Sequence, residues 1–359
     1  MSRPVIPRLV GLGIRTFVTL EGFVCGPGSG QPSLDGRPRC FFVIHNKNHV
    51  TIFRDIERKL TALGVSVFFV SIGGHRHAQQ AISAARVAGL EPIDVAQMGR
   101  AACAGDVICV GNDWGPKRLL HWLARVQKRG VPLIGIVEGA RFSLPGLYKR
   151  VDILLCWGPS GLEIGARSAE IVGSPVIEHA RQRLQKKHDR PRVLINYKFS
   201  GTEEDKGFAW GAAAIEAARI IDPDFVISAH PSSRGVPADV QVSAEPFLQL
   251  LGNSTIVITK ASTVIYEALA AGVSVLYFPH GDEKNAEFGD PLGAFAVANG
   301  RQELIQRAKD YARQPMFMER EARAFLDRHV SVEPDRPAND RIVAALIAVM
   351  KRPEPVAYL

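Results

Sequence analysis

Two stretches of the chain decide its fold. They are Phe225-Val-Ile-Ser-Ala-His230-Pro231-Ser232-Ser233 and Thr255-Ile-Val-Ile-Thr259-Lys260-Ala261-Ser262-Thr263-Val-Ile-Tyr-Glu267-Ala-Leu-Ala-Ala-Gly272-Val-Ser-Val-Leu-Tyr-Phe278-Pro279. Each opens on a short apolar run rich in β-branched residues, the pattern of a parallel strand buried on both faces. In the second, the run passes into a helix over Ser262–Ala271 and then into another strand over Val273–Phe278. His230 thereby falls at the carboxyl end of one strand, and Ser262 and Thr263 at the start of the helix that follows another. That edge is where parallel sheets bind ligands.

Working outward, the same alternation covers most of the chain. Upstream, strands are expected at Phe41–His45, Val65–Val70, Asp106–Val110, Leu133–Val137, Ile153–Trp157 and Ala169–Val172, with helices between them such as Val50–Leu63 and Pro116–Arg129. Closer in, Arg192–Asn196 reads as a strand and Lys206–Ile220 as a helix, and two further helices follow near Gln302–Arg313 and Asp340–Lys351. This pattern implies an α/β protein of two Rossmann-like domains facing across a cleft. The expected organisation is an N-terminal extension over 1–38, a first domain over 39–178, a basic linker over 179–191, a second domain over 192–330, and a C-terminal helix and tail over 331–359. A length of 359 residues agrees with two cores rather than one.

Composition narrows the class. The chain is 46% hydrophobic and 22% charged, as ordinary globular proteins are. Five cysteines without CxxC spacing point to a reduced, cytoplasmic protein without structural zinc. The apolar stretch Leu9–Val24 is interrupted by Arg15 and Glu21, which argues against a membrane span. The net charge of +8 is concentrated at Arg181–Arg192, where six basic residues stand against the single acid Asp189. Such a segment reads as a solvated linker helix or as a face for peripheral contact with anionic lipid. The chain has no Walker A sequence, no GxGxxG fingerprint and no DxD suited to a divalent metal, so neither a dinucleotide nor a divalent metal is expected. Nucleic acid is not an expected partner.

The Ser262–Thr263 helix start has two readings. In one, backbone N–H groups and both hydroxyls hold a phosphate, while Glu267, one turn on, accepts hydrogen bonds from ribose. In the other, Ser262 is an ordinary N-cap and Glu267 lies on the helix surface. His-Pro at a neighbouring strand end favours the first. The order His-Pro, strand, Ser/Thr pair, Glu-Ala-Leu-Ala-x-Gly, strand resembles the donor domain of GT-B glycosyltransferases. It is most similar to the sialyl-, polysialyl- and Kdo-transferases that use CMP-sugars and to CDP-glycerol glycerophosphotransferases. The resemblance spans roughly Asp152–Arg328. It implies that His230, Pro231, Ser262 and Thr263 bind the nucleotide phosphate and that Glu267 holds the ribose.

The CMP-sugar families carry two acids and a glycine after a strand. Here the matching stretch is Ile136-Val137-Glu138-Gly139, with a valine in place of one acid. Glu138 is the first candidate for the base that deprotonates an acceptor hydroxyl. Asp113 in Gly111-Asn-Asp-Trp-Gly115 and His45 in His45-Asn-Lys-Asn-His49 are the second and third. The loop Gly73-Gly74-His75-Arg76-His77 reads as a βα connection. The expected partners are a nucleotide-sugar or CDP-glycerol donor and a glycan or lipid-linked acceptor. The alternatives are a UDP-GlcNAc 2-epimerase-like enzyme and a catalytically silent nucleotide-sugar binding subunit.

Overall fold

The computed structural model describes residues 37–74, 76–112, 115–139, 146–182, 190–197, 204–229, 236–237, 240–280, 287–314, 317–331 and 335–351. The chain divides into two compact units, one of residues 1–136, 150–154 and 343–359, the other of residues 137–149 and 155–342. Among the described residues no helix is long and apolar enough to cross a membrane.

In the first unit, β1 (Arg39–Ile44) is buried along its whole length. It pairs in parallel with β2 (Ser66–Ser71) on one side and β4 (Val107–Val110) on the other. β3 (Ile93–Asp94) extends the sheet beyond β2, and β5 (Leu133–Ile136) beyond β4. The sheet has the strand order β3-β2-β1-β4-β5-β6-β7; β6 (Ile153–Cys156) is divided between the two units and β7 (Ala169–Ile171) falls in the second. An ion pair fixes the start of this sheet: Arg39 donates to both carboxylate oxygens of Asp106, at 3.0 and 2.7 Å, and Cys103 N donates to the same carboxylate at 2.8 Å. Both partners are nearly buried, so their extra hydrogen bonds offset the cost of removing two charges from water.

Helix α1 (Lys47–Ala62) begins where Asn46 Oδ1 accepts from the backbone N–H groups of Asn48 and His49. It buries Val50, Phe53, Ile56 and Leu60, the stripe its period dictates. The glycines Gly73 and Gly74 turn the chain with positive φ as a βα loop requires, but helix α2 (Arg76–Val87) starts immediately afterwards, which shortens the expected loop. Helix α3 (Val95–Ala101) was not anticipated. It opens with a capping box in which Ala96 N donates to Asp94 and Gln97 accepts from Asp94 N. Helix α4 (Lys117–Gln127) lays Trp122 against Gly99, where a side chain would collide with the indole.

In the second unit, helix α5 (Pro175–Arg181) occupies ground expected to close the first domain and open the linker. Ser174 caps it and Pro175 fills its first position. The second sheet then follows the expected pattern. Its strands are β8 (Val193–Tyr197), β9 (Val226–Ala229), β10 (Ile256–Thr259), β11 (Ser274–Tyr277) and β12 (Ala296–Val297), all parallel, in the order β12-β11-β10-β8-β9. Asp222 accepts from Val193 N at 3.0 Å and anchors β8 much as Asp106 anchors β1. Helix α6 (Glu204–Ile221) packs Trp210, Ala214, Ala217 and Ile221 on this sheet, beside Leu304, Ala308 and Tyr311 of a later helix. Helices α7 (Phe247–Leu251) and α8 (Val264–Ala270) flank β10. Gly272, at φ +77°, ends α8 in a Schellman turn, with Val273 N bonded to Ala268 O and Gly272 N to Leu269 O. Helices α9 (Arg301–Arg313), α10 (Glu319–His329) and α11 (Ala338–Met350) complete the described chain.

Candidate functional site

Parallel pairing places Asn196 and Tyr277 opposite Thr259, so the carboxyl ends of β8, β10 and β11 share one edge. Two short bonds lock that edge. Asn196 Nδ2 donates to Thr259 Oγ1 at 2.9 Å, and Thr259 Oγ1 donates to the carbonyl of Lys260 at 2.9 Å. Lys260 leaves the strand with only 4% of its surface exposed. Its ammonium lies 5.2 Å from the centre of the Trp210 ring, within cation–π range. Trp210 is itself held, with Nε1 donating to Phe278 O at 2.8 Å and its ring stacked on Phe278 and edge-on to Tyr197. A cation this deeply buried is uncommon unless something compensates its charge.

Three residues further on, Thr263 stands at the N-cap of α8 without a side-chain capping bond, and the Ser262 hydroxyl accepts from Val264 N at 3.4 Å. That is the bond an N-cap at Ser262 makes, one residue ahead of Thr263, so the capping reading of Ser262 stands beside the phosphate one. Glu267 does not lie on the surface: it is 9% exposed. Burial alone raises its carboxyl from the usual range to about 7. No hydrogen bond from the described residues reaches that carboxylate. Glu267 lies one turn from the two hydroxyls.

Glu138 follows β5 directly and is half-buried, in the second unit. The turn it shares with Gly139 comes close to α8. A Cβ added at Gly139 would stand 3.0 Å from Thr263 Oγ1. Gly139 also lines a narrow crevice with Trp157, Tyr266, Glu287 and His329, whose free space of about 10 Å³ is the room of one water. Here the Tyr266 hydroxyl donates to Glu287 at 2.9 Å, and His329 Nδ1 lies 2.9 Å from Ser160 Oγ.

The other expected site residues are placed differently or lie outside the described chain. His45 ends β1 in the first unit, 1% exposed, with its ring edge-on to His49 at 5.5 Å and its backbone N–H donating to His49 Nδ1 at 3.2 Å. Asp113, His75, His230, Pro231 and the two serines after them fall outside the described residues, as does most of the basic segment. The structure thus brings together Ser262, Thr263, Glu267 and the Glu138–Gly139 turn. It adds Lys260, Trp210, Tyr266, Glu287 and His329, which the sequence reading passed over. Lys260 had one available signal, a lysine next to the Ser-Thr pair. The rest come from distant parts of the chain.

No protein-family model matches the chain, and no curated protein is similar to it in sequence. Solved structures are similar to it in shape. Acinetobacter baumannii MurG is 14% identical, with a TM-score of 0.59 over 87% of this chain and 100% of its own. The spinosyn rhamnosyltransferase SpnG, solved with thymidine diphosphate, is 14% identical, with a TM-score of 0.53 over 88% and 100%. The UDP-GlcNAc 2-epimerase of Methanocaldococcus jannaschii, solved with UDP-GlcNAc and UDP, is 14% identical, with a TM-score of 0.56 over 86% and 99%. The chain has the GT-B fold. Both of its sheets, and the strand edge described above, belong to that architecture.

Proposed function

We propose that this chain is a nucleotide-sugar enzyme, specifically a glycosyltransferase or glycerophosphotransferase that serves a surface polysaccharide or lipid-linked glycan. The observation that carries the reading is the set Lys260, Ser262, Thr263 and Glu267, all but Thr263 buried, at the carboxyl edge of the second sheet. A lysine two residues ahead of a pair of hydroxyls suits a phosphate, and a carboxylate that accepts no bond from the described residues suits the hydroxyls of a ribose. In this reading His230 and Pro231 join the phosphate contacts. Glu138 takes the proton of an acceptor hydroxyl, and that oxygen bonds to the transferred carbon or phosphorus as the bond to the leaving nucleotide phosphate breaks. Asp113 and His45 are the alternative bases. No metal enters this scheme, since Lys260 and His230 offset the leaving charge. The enzyme works at the cytoplasmic face of the membrane, and its basic segment offers a peripheral contact there.

A second reading, a UDP-GlcNAc 2-epimerase-like enzyme, is favoured by the likeness to an epimerase solved with UDP-GlcNAc and UDP. One experiment separates the two. CMP-, CDP-, UDP- and GDP-linked donors are screened by thermal shift, with and without EDTA, and the stabilising donor is followed by product analysis. Consumption that needs an added glycan and ignores EDTA supports transfer. Release of UDP from UDP-GlcNAc alone supports the epimerase-like reading. Binding without turnover leaves the silent subunit, and no stabilisation by any donor sinks the nucleotide-sugar reading altogether.

A further inference from the structure

On the outer side of the second sheet, α9 and the chain leading into β12 enclose a groove of about 790 Å³ that shares no residue with the edge described above. Its size is that of a small-molecule site, roughly 300–1,000 Å³. One wall is a stripe along α9: Glu303, Arg307, Asp310 and Gln314. Their helical spacing keeps them on one face over about 16 Å. Asn299 stands at the upper end and Arg313 at the lower. The floor holds two aromatic rings, Phe295 and Tyr311, each more than nine-tenths buried. The Tyr311 hydroxyl has no hydrogen-bond partner among the described residues, although its ring is fixed in the core beneath α9.

The chemistry of this lining selects its ligand. Two guanidinium groups and two carboxylates cancel, so the groove has no net charge to attract a phosphate or a polycation. Arg307 lies 3.5 Å from Glu303, and Asp310 accepts from Gln306 at 3.1 Å, so donors and acceptors alternate along the wall. Alternating donors and acceptors, with the Tyr311 hydroxyl at the floor, match a chain of sugar rings. Each sugar ring offers hydroxyls that both donate and accept. We propose that this groove is a binding site for a short neutral oligosaccharide, separate from the nucleotide site.

This inference is independent of which reaction the enzyme catalyses, because binding alone tests it. The full chain is titrated with chitotetraose and with maltotetraose by saturation-transfer NMR, and with UDP in parallel. At least one tetrasaccharide should bind saturably in the millimolar range or below. Asn299→Ala and Tyr311→Phe, which leave the core ring in place, should each weaken it by three- to tenfold with UDP affinity unchanged. The inference is overturned if neither tetrasaccharide binds at 20-fold excess over that range, or if binding survives both substitutions. It is equally overturned if inorganic phosphate displaces the sugar. Loss of UDP binding alone would count against the nucleotide reading and leave the groove standing.

Discussion

The two sheets carry polar side chains at the same topological position and treat them in opposite ways. At the end of β1, His45 and His49 are folded into the core, ring against ring, with His49 Nδ1 3.2 Å from one backbone nitrogen and 3.3 Å from the carbonyl of Val43. At the end of β10, Lys260 and Glu267 are just as deeply covered, yet each bears a full charge or the means to acquire one. The two rings pack against each other, and His49 Nδ1 takes the backbone contacts. A carboxyl that burial raises to about 7 works against folding near neutral pH, so folding alone does not explain it. The contrast favours the second edge as the candidate site.

The sharpest way to break that contrast is to ask which unit supplies the base. Glu138 belongs to the second unit, and Glu138→Gln should lower turnover by about 10²–10⁴-fold with donor affinity changed by no more than a few-fold. His45→Gln should act on stability rather than on turnover. If Asp113→Asn or His45→Gln shows the large kinetic loss while Glu138→Gln does not, the first edge is catalytic and the contrast fails. Next in size is the charge at Lys260. Lys260→Met keeps the stem on Trp210 and removes the ammonium, which should weaken donor binding by roughly ten- to a hundredfold, as expected for a charged hydrogen bond of about 1.5–3 kcal/mol. Isothermal titration with the stabilising nucleotide reads it. Unchanged affinity in a folded Lys260→Met protein would turn this lysine into a core residue.

The sequence made the architecture legible because buried parallel strands leave continuous apolar runs, and every run expected in either half became a strand. It did not name β3, β12 or helices α2, α3, α5, α7 and α10. The two strands are only two residues long and show no period, and α10 is amphipathic on a face that packs on Tyr266 and Phe295 from elsewhere in the chain. Around the site, Ser262, Thr263 and Glu267 were legible because they are neighbours on one helix. Lys260 was not, because a lysine after a strand normally reaches water, and here Trp210, from another helix, covers it. The pairings Tyr266–Glu287 and His329–Ser160 join residues far apart in the chain, a distance that local pattern cannot cross.

Glu267 allows a third test, in which pH replaces substitution chemistry. Its carboxyl titrates near 4.5 in the unfolded chain and near 7 in the folded one. Below the lower value both states are protonated and nothing is lost. Between the two, the unfolded chain releases a proton that the folded chain keeps, so stability falls as pH rises, and above 7 the whole penalty is present. Glu267→Gln removes it. The variant should match the parent at pH 4 and exceed it at pH 8, by an amount on the order of 3 kcal/mol. Urea unfolding at the two pH values measures this. A ligand that donates hydroxyls to the carboxylate should narrow the gap at pH 8. Equal stability of the two proteins at both pH values would show that Glu267 is compensated after all, and the second edge would then resemble the first.

The smallest effect separates two glycines of one unit. At Gly139 a methyl group would stand 3.0 Å from the Thr263 hydroxyl, and at Gly158 it would meet the backbone of His329 and Val330 at 2.5–2.7 Å. A hydroxyl at the tip of a side chain can rotate away, whereas two peptide groups cannot. Gly139→Ala should therefore cost only about 1 kcal/mol of packing and displace Thr263 from its place before α8. The readout is donor affinity, weakened by about fivefold with a nearly unchanged melting temperature. Gly158→Ala should do the reverse, with a clear loss of melting temperature and normal donor affinity in whatever fraction folds. If Gly139→Ala leaves donor affinity intact, Thr263 is not a ligand, and the close approach of the Glu138–Gly139 turn to α8 is packing like that at His45 and His49. If both variants lose stability equally, the turn is as rigid as the backbone behind Gly158, and the two glycines carry the same structural duty.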